Sequence, residues 1–227
     1  VARDWVEARQ EASKASTTVQ MLAYQIDGRY DQKGSAGAFV DRLHGQQGIA
    51  DELRELAALL QARTTLPAMP LPGMEDTPLV LHASYGIREV LTAVGWLTAN
   101  RRNPFQAGVL ALPARRTELL FVTLDKSEGY HDRIAYHDYA ISAERFHWQT
   151  QNSAGPDTLA GRRYLHSAPE GWKYQLFVRV RKGDVYRACG PVLMESAEGD
   201  RPMTIIWRLA SPLPVKLFRE FSVLRDL

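Results

Sequence analysis

The sequence predicts an α+β protein. It divides into a helical N-terminal subdomain over residues 1–65, a proline-rich linker over 66–78, and a curved, mixed or antiparallel β-barrel-like domain with flanking helices over 79–227. Three observations predict this. Apolar residues recur at helical spacing in the first part and alternate in short runs in the second. Four prolines and a glycine punctuate TTLPAMPLPGMEDTP between them, the composition of an extended connection. Seven short apolar runs then follow at close spacing, broken by Gly, Pro and Asn, as in a curved sheet or small barrel.

Within the first part, WVEARQEASKASTTVQMLAYQI reads as a helix with a polar middle, and GSAGAFVDRLHG as a short helix ended by Gly45. IADELRELAALLQA places Ile49, Leu53, Leu56, Leu59 and Leu60 on one stripe and is the clearest amphipathic helix. Beyond the linker, HASYGIREVLTAVGWL predicts a helix with Ser84 at its N-cap and Val90, Leu91, Val94 and Leu97 on its apolar face. The strand-like runs are QAGVLALP, TELLFVTLDK, YHDYAIS, RFHWQTQ, YQLFVRVRK, CGPVLME and MTIIWRL, with a helix at DTLAGRRYLHS and another near the end in PLPVKLFREFSVLRDL.

Composition narrows the classes. No run approaches the ~18 apolar residues of a membrane-spanning helix, and the charged VARDWVEARQ is no signal peptide, which predicts a soluble, cytoplasmic chain. The single cysteine, Cys189, excludes an internal disulfide and fits a buried structural thiol. The six histidines show neither H-E-x-x-H nor H-x-H spacing, and there is no G-x-S-x-G and no P-loop. No metal, cofactor or catalytic residue is therefore expected. Net charge is +2, unevenly distributed: residues 1–78 hold 8 basic against 11 acidic side chains, and residues 79–211 hold 17 against 13. The basic excess, with doublets at Arg101-Arg102, Arg115-Arg116, Arg162-Arg163 and Arg179/Arg181/Lys182, would suit a polyanion.

The densest chemistry lies in YHDYAISAERFHWQTQNSAGP. Alternation puts Tyr136, Asp138 and Ala140 on one strand face and His137, Tyr139 and Ile141 on the other. It likewise opposes Phe146, Trp148 and Thr150 to Arg145, His147, Gln149 and Gln151. A hairpin through SAER would stack aromatics on one face and present amides and imidazoles on the other. Planar amides at Gln149, Gln151 and Asn152 beside Trp148 can pair with base edges while the ring stacks on a base. Tyr85 and Arg88, one helical turn apart, and Lys126, at a strand end, are candidate backbone contacts, as are Arg101, Arg102, Arg162 and Arg163. Two other readings remain open. One is a nuclease or base-modifying enzyme using His137, Asp138 and His147; the other is a protein-docking module of a helicase.

In order along the chain, HASYGIREVLTAVGW, FVTLDKSE, YHDYAIS, FHWQTQN, GRRYLHS, LFVRV and GDRPMTIIWRLASPLP resemble a domain family long catalogued as of unknown function. It sits at the C-terminal end of large bacterial proteins that carry a phospholipase-D-type nuclease and a helicase-like ATPase, among them type IV, modification-dependent restriction enzymes. GIADELRELAALLQARTTLP resembles what precedes the domain there, so the likeness runs over roughly residues 40–215. The resemblance implies a target-recognition module with an SRA/PUA-like barrel. It would read 5-methyl- or 5-hydroxymethylcytosine in double-stranded DNA, for a nuclease and ATPase in the same or a partner chain. A flipped base needs stacking walls and fixed polar partners. Asp138 would accept from the cytosine N4 amino group, with Tyr136, Tyr139 or Trp148 as walls. Gln149, Gln151 or Asn152 would hold the orphaned guanine or the pocket rim. Apolar contact with the C5 methyl would be worth about 1–2 kcal/mol. The start at Val1 points to a piece of a longer protein or a processed chain.

Overall fold

The structure, a computed structural model, describes residues 2–26, 36–63, 68–97, 105, 107–125, 138–166 and 171–222. The chain forms two compact units, residues 1–81 with 86–104 and residues 82–85 with 105–227.

The first unit is helical. Helices α1 (Ala2–Ile26), α2 (Ala36–His44) and α3 (Gln47–Arg63) follow in order, and α4 (Ile87–Ala93) packs on α1. Ala23 and Phe39 are buried where α1 meets α2, with Val19, Tyr24 and Leu43 around them. On α3, the stripe legible in the sequence is at the surface: Ile49, Leu56, Leu59 and Leu60 are exposed. The proline-rich segment is folded back on itself rather than extended. Leu71 donates its N–H to the Leu79 carbonyl at 2.9 Å and Leu81 to Met69 at 2.9 Å, while Leu71, Met74 and Leu79 are buried. Helix α4 is shorter than the sequence predicts. Gly86, not Ser84, caps it, its N–H bonding the Glu89 carboxylate at 2.6 Å.

The second unit is built on one mixed sheet. Its strands are β1 (Ser84–Tyr85), β2 (Val109–Leu112), β3 (Thr117–Asp125), β4 (Tyr139–Ser142), β5 (Arg145–Gln149), β6 (Lys173–Arg181), β7 (Tyr186–Glu198) and β8 (Thr204–Leu209). They lie in the order β2-β3-β6-β7-β8-β5-β4, with β1 also paired to β7. All seven strand-like runs of the sequence become strands; β1 forms where the sequence predicts the start of a helix. The sheet is open. Among the described residues β2 and β4 do not pair, so the expected closed, barrel-like form is replaced by an open mixed sheet.

Its pairings follow from composition. Strands β3 and β6 pair in parallel, from Thr117 opposite Lys173 to Asp125 opposite Arg181, and their near-continuous apolar runs suit strands buried on both faces. Strand β5 alternates, with Phe146 and Trp148 buried and Arg145, His147 and Gln149 more exposed, as a half-buried strand should. Three register shifts leave Ile141, Cys189 and Glu195 as extra residues on β4, β7 and β7. Such bulges bend the strand and increase its twist. A single core cluster accordingly runs from Leu120, Val122 and Leu124 of β3 to Ala140 of β4. Helices α5 (Leu159–Leu165) and α6 (Val215–Phe221) cover it with Tyr164, Leu217 and Phe221. Cys189 is fully buried, and that burial pushes its thiol pKa up to about 12, so it packs as an apolar side chain. No helix among the described residues is long and apolar enough to cross a membrane.

Candidate functional site

The hairpin β4–β5 turns at Ala143-Glu144, as the sequence predicts, and sorts its polar and aromatic residues into three sets. Tyr139 and His147 are register partners on the outward face, with rings stacked 4.8 Å apart and 11° from parallel. Gln149 shares that face, opposite Thr204 on β8, and Ile206 lies opposite His147. This set places a stacked aromatic pair beside an amide.

The second set points inward. Trp148 is buried in the core, edge-on to Tyr164 at 5.5 Å and 6.0 Å from Trp207. Its role is packing, which corrects its expected place as a stacking wall. Asp138 is also buried, and its Oδ1 accepts the Gln149 backbone N–H at 2.9 Å. A carboxylate is tolerated there because it satisfies a backbone donor of the neighbouring strand. Asp138 thus fixes the backbone from which Gln149 projects. Asp138→Ala is expected to destabilise the protein by ~1–3 kcal/mol, since it leaves a buried N–H unpaired, whereas Asp138→Asn, which keeps an acceptor, should cost less. Urea unfolding of the two variants checks this; equal losses would exclude the hydrogen bond as the cause.

The third set sits on the loop after β5. Gln151, Asn152 and Ser153 are exposed, but the backbone beneath them is tied down. Buried Thr150 donates its N–H to Met203 O at 2.9 Å; its hydroxyl donates to Ala154 O and accepts from Met203 N–H, each at 2.9 Å. Ala154 N–H closes on Gln151 O at 2.8 Å, and Arg201 pairs with Asp157 across the base. The loop passes so close to Arg201 that a Cβ at Gly155 would lie 2.8 Å from Nε. Two exposed amide side chains therefore ride on an ordered support.

The expected backbone contacts are dispersed. Tyr85 is buried in β1, in the sheet unit, and Arg88 is exposed on α4, in the helical unit. The single helix turn expected to align them is not formed. Arg162 is exposed on α5. Arg163 is committed internally: its Nη2 lies 2.5 Å from Oε1 of fully buried Glu118, and its guanidinium covers the Trp172 ring at 4.8 Å. That gives Arg163 a structural role in place of the expected phosphate contact. Tyr136, His137, Arg101, Arg102 and Lys126 lie outside the described residues.

Two charge arrangements escaped the sequence reading because both depend on strand register. Arg145 and Arg208 are direct partners across β5 and β8, and the bulged Glu195 reaches Arg145 at 2.8 Å. The two guanidiniums hold the Glu195 carboxyl below its usual range. On β6, Arg179 donates from Nε to Thr123 Oγ1 at 2.9 Å and lies over the Tyr186 ring at 4.5 Å. Among the described residues no group of three or more His, Cys, Asp or Glu side chains is placed to hold a metal.

Fold and site define an α+β protein whose open mixed sheet carries an aromatic and amide-bearing hairpin. Residues 79–221 match the family model described as Domain of unknown function (DUF3427), and the chain belongs to that family. No curated protein matches it.

Proposed function

We propose that this chain is a recognition module that reads a modified cytosine, 5-methyl- or 5-hydroxymethylcytosine, in double-stranded DNA. In this reading it acts by base flipping, on behalf of a nuclease and helicase-like ATPase in the same or a partner chain. The observation that carries the proposal is the outward face of the β4–β5 hairpin, where the stacked Tyr139–His147 pair stands beside Gln149, with Gln151 and Asn152 on the braced loop. An unstacked base needs an aromatic face and fixed amides along its edge. Asp138 holds the hairpin backbone in this scheme, and the edge is read by the amides. The SRA/PUA-like likeness and a cytoplasmic location belong to the same proposal.

The test is a binding titration of the full chain against matched duplexes carrying cytosine, 5-methylcytosine or 5-hydroxymethylcytosine at one position, at two salt concentrations. Tyr139→Ala and Gln149→Ala are expected to erase the preference for the modified duplex while leaving salt-sensitive binding. Equal binding of all three duplexes by the unaltered chain would remove cytosine reading.

A second reading, docking to another protein, draws on Ile49, Leu56 and Leu59 exposed on α3. It predicts negligible DNA affinity even at low salt.

A further inference from the structure

From the placement of Arg179 we infer a phosphate-binding site at the less buried C-terminal end of β6, in which this side chain grips the DNA backbone. The inference rests on the DNA-reading proposal but uses a different part of the sheet.

A half-buried arginine whose only task is structural is normally neutralised by a carboxylate, as Arg163 is by Glu118. Arg179 is held differently. Its Nε donates to the hydroxyl of Thr123, its register partner on β3, at 2.9 Å. Its guanidinium carbon lies over the ring of Tyr186, 4.5 Å from the centroid, and Nη1 reaches the Asp184 carbonyl only at 3.5 Å. Among the described residues it forms no ion pair with a carboxylate. The group is thus aimed by a hydroxyl, a carbonyl and an aromatic face, all neutral.

The planar fork has five donors, of which Nε is well used. Those on the two terminal nitrogens suit two phosphate oxygens. The aromatic platform beneath is itself rigid: Tyr186 packs edge-on to Phe121 at 5.2 Å, and Phe121 stacks on Phe177 at 5.3 Å. Preorganisation of this kind lowers the entropy lost on binding. Arg181 follows two residues on along the same face, about 6.8 Å away at strand rise and opposite Asp125 of β3. Asp184, in the turn that follows, accepts the Arg181 backbone N–H at 2.9 Å.

The experiment measures affinity of the full chain for the cytosine and 5-methylcytosine duplexes across a salt series, with Arg179→Gln, Arg179→Lys and Thr123→Val. Inorganic phosphate is titrated in parallel, and thermal melting confirms that each variant is folded. Arg179→Gln is expected to weaken binding to both duplexes alike and to flatten the plot of log affinity against log salt by about one unit. Arg179→Lys and Thr123→Val keep the charge, so they should weaken binding with the slope unchanged. Unaltered affinity and slope in folded Arg179→Gln would overturn the site. So would Arg179-dependent binding of inorganic phosphate with DNA binding untouched, which would make it a small-anion site. Equal binding of the two duplexes with a slope that still depends on Arg179 would sink cytosine reading and leave the phosphate contact standing. No DNA binding by the unaltered chain would overturn both.

Discussion

Arg163→Met is expected to cost about 3–5 kcal/mol of stability, because it strands the buried carboxylate of Glu118 without its partner. Glu118 is fully buried on β3, and Arg163 reaches it from α5, steadied by the Trp172 ring beneath the guanidinium. The Tyr174 hydroxyl donates to the Arg163 carbonyl at 2.7 Å, fixing the helix end that presents the side chain. Burial raises the Glu118 pKa, while the Arg163 charge pulls it down; burial prevails. A carboxyl whose folded pKa lies above its unfolded value binds a proton more readily in the native state. Its contribution to stability is then greatest below the unfolded value of roughly 4.3 and falls as pH rises through the folded one. Losing Arg163 removes the main opposing influence, so the folded pKa climbs and the window widens. Urea unfolding at about pH 5 and about pH 8 should show the larger gap between variant and unaltered chain at the higher pH. A gap equal at both would mean that packing on Trp172, not charge, is what Arg163 supplies. Since its charge is spent inside the fold, Arg163→Met should also leave the salt dependence of DNA binding unchanged. Arg162→Gln, one position earlier on the exposed face, should lower it.

Gly161→Ala is expected to cost at least about 3 kcal/mol, an overpacking penalty with no side chain able to yield. A Cβ at Gly161 would fall on the Gly155 carbonyl, 2.6 Å from its carbon and 3.2 Å from Pro156 N. The closeness is built in by Thr158, the N-cap of α5. Its hydroxyl donates to Gly155 O at 2.8 Å and accepts the Gly161 N–H at 3.0 Å. Relief of the clash must therefore push the loop away from the helix and unseat Gln151 and Asn152 together. The expected readouts are a lower melting temperature and a weaker preference among the duplexes. Gly48→Ala is the control: it sits on α3 with open space around a Cβ and should stabilise by ~0.5–1 kcal/mol. If Gly161→Ala melts like that control, the close approach is not what holds the loop.

The strands were legible because their patterns are strong. Alternation in RFHWQTQ separates Phe146 and Trp148 from His147 and Gln149, and the apolar runs TELLFVTLDK and YQLFVRVRK mark β3 and β6 as strands. What alternation cannot reveal is which face meets solvent. The aromatic Trp148 and the acidic Asp138 looked like pocket residues, yet both lie inward, one filling the core and the other accepting a strand N–H. Strand β1 was lost for another reason. Its two residues have no period of their own and are strand only because Ser84 and Tyr85 find partners in Arg187 and Tyr186. Prolines between Leu66 and Pro78 suggested an extended link, but Leu71, Met74 and Leu79, at no regular spacing, draw that segment inward. Arg163 was mistaken for a surface charge because its partner, Glu118, comes from a strand distant in sequence. Pairings of that kind are set by register, which the sequence does not display.

Strands β3 and β6 lie side by side, yet β4, β5 and α5 are threaded between them in the chain. The hairpin and loop carrying the residues proposed to read the base are thus an insertion between two strands already in contact. Closing such an insertion becomes only slightly harder as it grows, by ~0.6 kcal/mol for each doubling of its length. Phe146 and Trp148 anchor the insertion in the core, while Tyr139, His147 and Gln149 and the tip between Gln151 and Ser153 lie outside that core cluster. On the proposed function, new specificities can be written there without redesigning the sheet.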